Sequence, residues 1–155
     1  MDKRQAIGSW LSGPRAAAEE MGVDFGYRGQ RLGLPEEGPG SIAPLGRRLG
    51  AIFVDWGMCA LIAYGLLANG EPAAASNWTL LVFVVMGVLT VGTLGMTPGK
   101  RLFGLRVLDL SGGRLSFPRA ALRTFLLALA IPPLVFDRDG RGLHDRFSGA
   151  VQVRA

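Results

Sequence analysis

Asp55 lies about two turns into the stretch RRLGAIFVDWGMCALIAYGLL, Arg47 to Leu67, with apolar residues on both sides. A charge at the centre of a membrane helix costs about 2.5–3.5 kcal/mol on insertion scales. A cationic partner, a bound cation or a proton would relieve it. Arg48 stands seven residues earlier, on nearly the same face but about 10 Å away along the axis. That is too far for an ion pair on a straight helix, so the candidate partners are Arg123 or an arginine of the tail. His144 adjoins Asp145, a pair that suggests a general base. No nucleophile or pocket accompanies it, and capping and hydrogen bonding within GLHDR is the better reading. Lys100 and Arg101 close the run GMTPGKR. It resembles a phosphate loop, but Gly95 to Gly99 is one residue short and no Ser or Thr follows the lysine. TPGK reads instead as a helix stop, with Lys100 and Arg101 facing lipid phosphates. The set is thus a polar network of Arg48, Asp55, Arg123, His144 and Asp145, with no catalytic residue and no enzyme activity.

Composition says which elements must hold these groups. Of 155 residues, 49% are hydrophobic and 19% charged, fewer charges than the roughly 25% of soluble domains. Two apolar stretches dominate. Leu49 to Gly70 carries Asp55 as its only charge, and the 28 residues between Glu71 and Lys100 carry none. Each is long enough to cross a bilayer, which takes about 20 residues of helix. Spans over 49–69 and 78–96 form an antiparallel hairpin, with Trp78 at an interface. One cysteine and one histidine leave no disulfide framework, no zinc site and no expected cofactor. The net charge of +5 forms no basic stripe interleaved with aromatics, so no nucleic-acid partner is expected.

Basic residues orient the hairpin. Arg47 and Arg48 precede the first span, and Lys100, Arg101, Arg106, Arg114, Arg119 and Arg123 follow the second. The connecting NGEPAAASN has none. The positive-inside rule places the amino terminus of a multi-pass membrane protein in the cytoplasm. Residues 1–44, rich in Gly, Pro and mixed charge, read as a flexible cytoplasmic arm. Trp10, Leu11, Phe25 and Tyr27 could anchor it to a cytoplasmic protein, and Arg15 to Met21 could form helical turns. In the membrane domain, 45–155, LFGLRVLDLSGGRLSF reads as a β-hairpin over about 103–117 turning at Ser111-Gly112-Gly113. A third strand would stabilise it, and GAVQV is the candidate.

The apolar run Thr124 to Phe136 has 13 residues, short for a span, and Pro132 and Pro133 break it. A helix over about 119–136 either crosses or re-enters. The reading favoured is re-entrant, because only then can the tail, 137–155, reach the hairpin on the cytoplasmic side. The expected fold class is an α-helical membrane protein: a two-helix transmembrane hairpin, a short re-entrant or third helix, and a small cytoplasmic sheet. Gly87, Gly92 and Gly95 offer small surfaces for contact within a homo-oligomer. The expected partners are the bilayer and its anionic head groups.

GRRLGAIFVDW, GMTPGKRLFGLRVLDLSGGRLS, RAALRTFLL and DRDGRGLHDRFSGAVQV occur in this order. From Pro44 to Val153 the chain resembles the RDD family of bacterial membrane proteins. Arg48, Asp55 and Asp145 match the arginine and two aspartates of its name, and Gly99, Lys100 and Arg101 match its glycine-lysine-arginine segment. The family commonly has threonine where Ala150 stands. The resemblance implies transport, with some members linked to sodium–proton exchange, and no enzyme activity. Three readings follow for Asp55: a structural ion pair, a transport site with Asp145 near its mouth, or part of a scaffold that displays the cytoplasmic segments.

Overall fold

The computed structural model describes residues 19, 21–24, 26–129, 135–137 and 139–155. Helix α1, Leu45–Ile62, runs on through a π-helical turn, Ala63–Leu67. Helix α2 is Pro72–Leu94, with Glu71 before it and Pro72 in its first turn, where a missing N–H costs nothing. It starts six residues earlier than the sequence suggested. The two helices pack through Cys59, Phe83 and Met86, with Trp56 edge-on to Phe83 at 5.3 Å.

Only 22% of the most apolar window of either helix is buried. Phe53, Leu61 and Leu66 are each 76% exposed. A soluble core helix hides such residues, whereas an apolar surface this continuous suits contact with lipid. The hydroxyls of Thr79, Thr90 and Thr93 each donate to the carbonyl four residues back. Their polar groups are thereby satisfied without water.

Gly95, at φ 71°, ends α2. TPGK therefore does not stop that helix. Thr97 caps and Pro98 begins a separate short helix, α3, Pro98–Leu102, in which the Thr97 hydroxyl accepts from the Lys100 N–H. Strand β1, Leu105–Asp109, follows. The expected turn forms, with Gly112 N donating to Asp109 O and Asp109 N to Gly113 O. The returning strand does not: residues 114–116 are irregular. Arg114 reaches instead to the Thr93 carbonyl near the end of α2, and Leu115 is buried beside Val91 and Val107. The partner of β1 is β2, Ala150–Arg154, antiparallel, with Val107 opposite Gln152.

The third row of the sheet comes from the arm. Gly40 N donates to Arg154 O, Ala43 N to Gln152 O, and Arg154 N to Ser41 O, with Ile42 bridged to Val153. The boundary at 44 thus cuts through packed chain: Ser41 and Ala43 are buried. The anchors Trp10, Leu11 and Phe25 and most of Arg15 to Met21 lie outside the described residues.

Helix α4, Phe117–Ala128, has 12 residues, about 18 Å of rise, against the roughly 30 Å of a bilayer core. It buries Ala120, Thr124 and Leu127 against α2, and Arg123 is buried as well. Gly87 and Gly92 make room for it: a Cβ would stand 2.7 Å from Thr124 Cγ2 in one case and from the Phe117 ring in the other. These two glycines serve contact within the chain rather than between copies. Pro132 and Pro133 lie outside the described residues. Beyond them, α5, Leu143–Ser148, packs on α4 and leads into β2. Gly87→Val should push α4 off α2 and lower stability by about 1–3 kcal/mol. Unfolding in detergent checks this, and a variant as stable as wild type would contradict the packing.

Candidate functional site: a buried ionic network

Along α1 the buried positions are Arg48, Ala51, Asp55 and Cys59, spaced three or four apart and so on one face. That face meets α3. Asp55, 1% exposed, accepts a short hydrogen bond from the Thr97 hydroxyl and one of 2.7 Å from the Gly99 N–H. Thr97 thus links the carboxylate to the start of α3, where free N–H groups favour negative charge. The close approach depends on Gly99 lacking a side chain. A Cβ there would run into the Ala51 carbonyl oxygen and come within 2.9 Å of the Asp55 carboxylate.

Asp55 therefore does not pair directly with Arg123, as the sequence suggested. Arg123 belongs to Asp145. Its Nε donates to Asp145 Oδ1 at 2.6 Å, with the two side chains 1% and 0% exposed. Gln152 Nε2 donates to the other carboxylate oxygen at 2.9 Å. Three elements are joined by this one carboxylate: α4, α5 and β2. The arrangement follows from helical spacing on α4, where Arg123 shares a face with Ala120 and Leu127. Strand alternation does not predict it, because every residue from Ala150 to Val153 is buried.

His144 is 3% exposed, with Nε2 3.5 Å from both Arg123 Nη2 and Gln152 Nε2. Burial pushes its pKa down to about 3, Asp145 opposes that, and Arg123 adds to it. The ring is neutral, so its 3.4 Å contact with Asp145 Oδ2 is not an ion pair. Burial by itself would raise the Asp145 carboxyl, but the Arg123 guanidinium, the Gln152 hydrogen bond and the more distant Arg48 hold it well below the usual carboxylate range. Arg48, 5% exposed, reaches away from Asp55 and donates Nη1 to Gly140 O at 2.8 Å, while its Nε and Nη2 have no partner among the described residues. Gly140 sits in a loop built on Asp137, which accepts from the N–H groups of Asp139 and Arg141 and from Arg141 Nε.

Lys100 and Arg101 separate. Lys100 is 2% exposed and cannot face lipid phosphate; Arg101 is exposed. Lys100 joins the network, where burial lowers its pKa to about 8. Arg123 reinforces the shift, and Asp55 and Asp145 oppose it. Its burial follows from the fold of α3, which turns Gly99 and Lys100 together toward α1. The network as a whole holds three basic side chains, Arg48, Lys100 and Arg123, against two carboxylates. Loss of the Lys100 proton would balance it. Among the described residues no group of His, Cys, Asp and Glu could hold a metal ion.

Sequence reasoning assembled the ionic residues but missed Thr97, Gln152 and the burial of Lys100. A signal for Thr97 was present, since threonine before proline is a helix start. No local pattern marks Gln152. Ala150 is fully buried beside Val91, Val107, Leu115 and Ala120, so its methyl fills an apolar core.

Two outcomes are expected. Gly99→Ala should cost about 3 kcal/mol or more, since the added methyl meets backbone rather than a movable side chain; denaturation in detergent measures it. The second concerns pH. Between about pH 8 and 10.5 the unfolded chain keeps the Lys100 proton that the folded chain has released. More protons bound when unfolded means stability rises with pH through that window. Lys100→Met should flatten this rise, as read from unfolding midpoints between pH 7 and 11.

The model of the RDD family matches residues 42–149. No curated protein and no solved structure matches the chain.

Proposed function

The chain belongs to the RDD family, and from that premise we propose that it is a non-enzymatic, membrane-anchored structural or scaffold module. In this reading the buried Arg/Asp network locks a cytoplasmic platform onto a transmembrane hairpin. One observation carries the reading: both buried carboxylates are already occupied within the chain. Asp55 is held by Thr97 and Gly99, and Asp145 by Arg123 and Gln152. A carboxylate can accept about four bonds, but a cation at either site would have to share its oxygens with donors already fixed there. The module would sit in the bacterial cytoplasmic membrane with its amino terminus in the cytoplasm. The loop Ala68–Glu71 has no basic residue, while Arg47, Arg101, Arg106, Arg114 and Arg119 are exposed at the other end of the chain's two spans, which supports that orientation.

Pairing of β2 with β1 supports a re-entrant 124–136 run, since β1 follows the second span by about ten residues. The short α4 exposes Leu122 and Phe125, and Leu129 just after it is exposed too, as in a helix lying in an interface. The arm remains the candidate contact for a cytoplasmic protein partner.

Ion exchange by a homo-oligomer, with Asp55 as cation or proton site, is the second reading. The surplus of one basic side chain in the network favours it, because Lys100 titrates near physiological pH and the network can change by one proton. Two spans enclose no pathway, so this reading requires several copies. Reconstitution into liposomes with a pH-sensitive dye separates the two. Under an imposed sodium or proton gradient, wild type and Asp55→Asn should both leave the dye unchanged. Asp55→Asn should at the same time lose about 1.5–3 kcal/mol of stability, the worth of hydrogen bonds to a charged group. Flux through wild type that Asp55→Asn abolishes would transfer the assignment to transport.

A further inference from the structure

A groove of about 620 Å³ opens where α2 ends, bounded by α3 and the start of β1. Its apolar wall includes Thr90, Leu94 and Met96, and its basic wall is Arg101 and Arg106. The fold creates it in three steps. Gly95 breaks α2, and the Val107 N–H donates to Gly95 O at 2.7 Å, which pins β1 beneath the helix end. Gly104, at φ 64°, turns the chain from α3 into β1 and leaves the floor without a side chain. Strand alternation then buries Leu105 and Val107 and turns Arg106 outward.

Arg47 lies just outside the lining, beside Gly104. Its Nη1 donates to Phe103 O at 3.4 Å and lies 3.9 Å from where a Gly104 Cβ would be. Arg101 and Arg106 are exposed and make no ion pair among the described residues. Ala155 lines the far side, its N–H bonded to Gly104 O at 2.8 Å. Leu94, 62% exposed, and Leu102, 72% exposed, flank the basic wall. Cations directly beside bare leucines at the end of an apolar helix match one ligand chemistry: a phosphate diester attached to hydrocarbon. Guanidinium groups bind phosphate by paired hydrogen bonds.

We propose that this groove is a binding site for an anionic phospholipid, with Arg101 and Arg106 holding the head-group phosphate and the Thr90–Leu94 wall receiving the start of an acyl chain. The site replaces the sequence-based pairing of Lys100 with Arg101, since Lys100 faces the interior. It rests on the membrane reading above.

The test uses the full chain, extracted from membranes in mild detergent and titrated with phosphatidylglycerol, phosphatidylcholine and glycerol phosphate, with bound lipid counted by native mass spectrometry. Wild type should retain phosphatidylglycerol about tenfold more tightly than phosphatidylcholine and should not retain glycerol phosphate. Arg101→Gln/Arg106→Gln should remove that preference and leave phosphatidylcholine binding unchanged. Arg146→Gln, an exposed charge on α5, should keep it. Equal retention of the two lipids, a preference that survives the double variant, or tight binding of glycerol phosphate alone would each overturn the site. Washing of membranes with alkaline carbonate separates the two levels of failure. Release of wild type would bring down the membrane reading and the groove together, whereas a retained protein without the lipid preference overturns the groove alone.

Discussion

A carboxylate buried on an apolar helix must find hydrogen-bond donors, and the rest of this molecule is arranged around that requirement. Removing an ion from water costs several kcal/mol, which only close and well-aligned partners offset. Asp55 meets the requirement through α3, a helix of five residues whose Gly99 N–H and capping Thr97 hydroxyl donate to it. The demand explains why α3 crosses α1 so closely, why Gly99 has no side chain there, and why α2 must end in a left-handed glycine so that the chain can turn back. The position of β1 follows, because Gly95 also accepts the Val107 N–H.

The second carboxylate works from the other end of the sequence. Asp145 gathers Arg123 and Gln152, so the tail is drawn onto α4 and its strand is presented to β1. The sheet is then completed by residues 40–43. Segments separated by about a hundred residues become one platform beside the helical hairpin. Arg48, on the same face of α1 as Asp55, contributes by holding the Gly140 loop. Arg48, Asp55 and Asp145 thus have three separate sets of local partners. None of them pairs with another of the three.

Electrostatically the network is lopsided, and this distinguishes it from a set of closed ion pairs. Three basic side chains share a small volume with two carboxylates and a neutral histidine. Burial and the neighbouring Arg123 lower the pKa of Lys100 to about 8. A structural lock and a proton-sensitive element can therefore reside in the same residues. The exposed arginines at the end of α2 are a separate system, turned toward the surroundings rather than inward.

Much of this was legible in the chain itself. Two apolar stretches of spanning length, a basic bias on one side of them, and ordered family segments pointed to an apolar helical hairpin with charged residues of interest at Arg48, Asp55, Arg123, His144 and Asp145. Those features are properties of composition and short-range spacing, which hydropathy and helical periodicity read directly. Tertiary structure decided the pairings. Whether Arg123 meets Asp55 or Asp145, whether Lys100 faces lipid or core, and whether β1 pairs with residues 114–117 or 150–154 all depend on where α3 and α5 come to rest. Residues far apart in sequence compete for the same buried donors, and that competition is settled only when the elements pack.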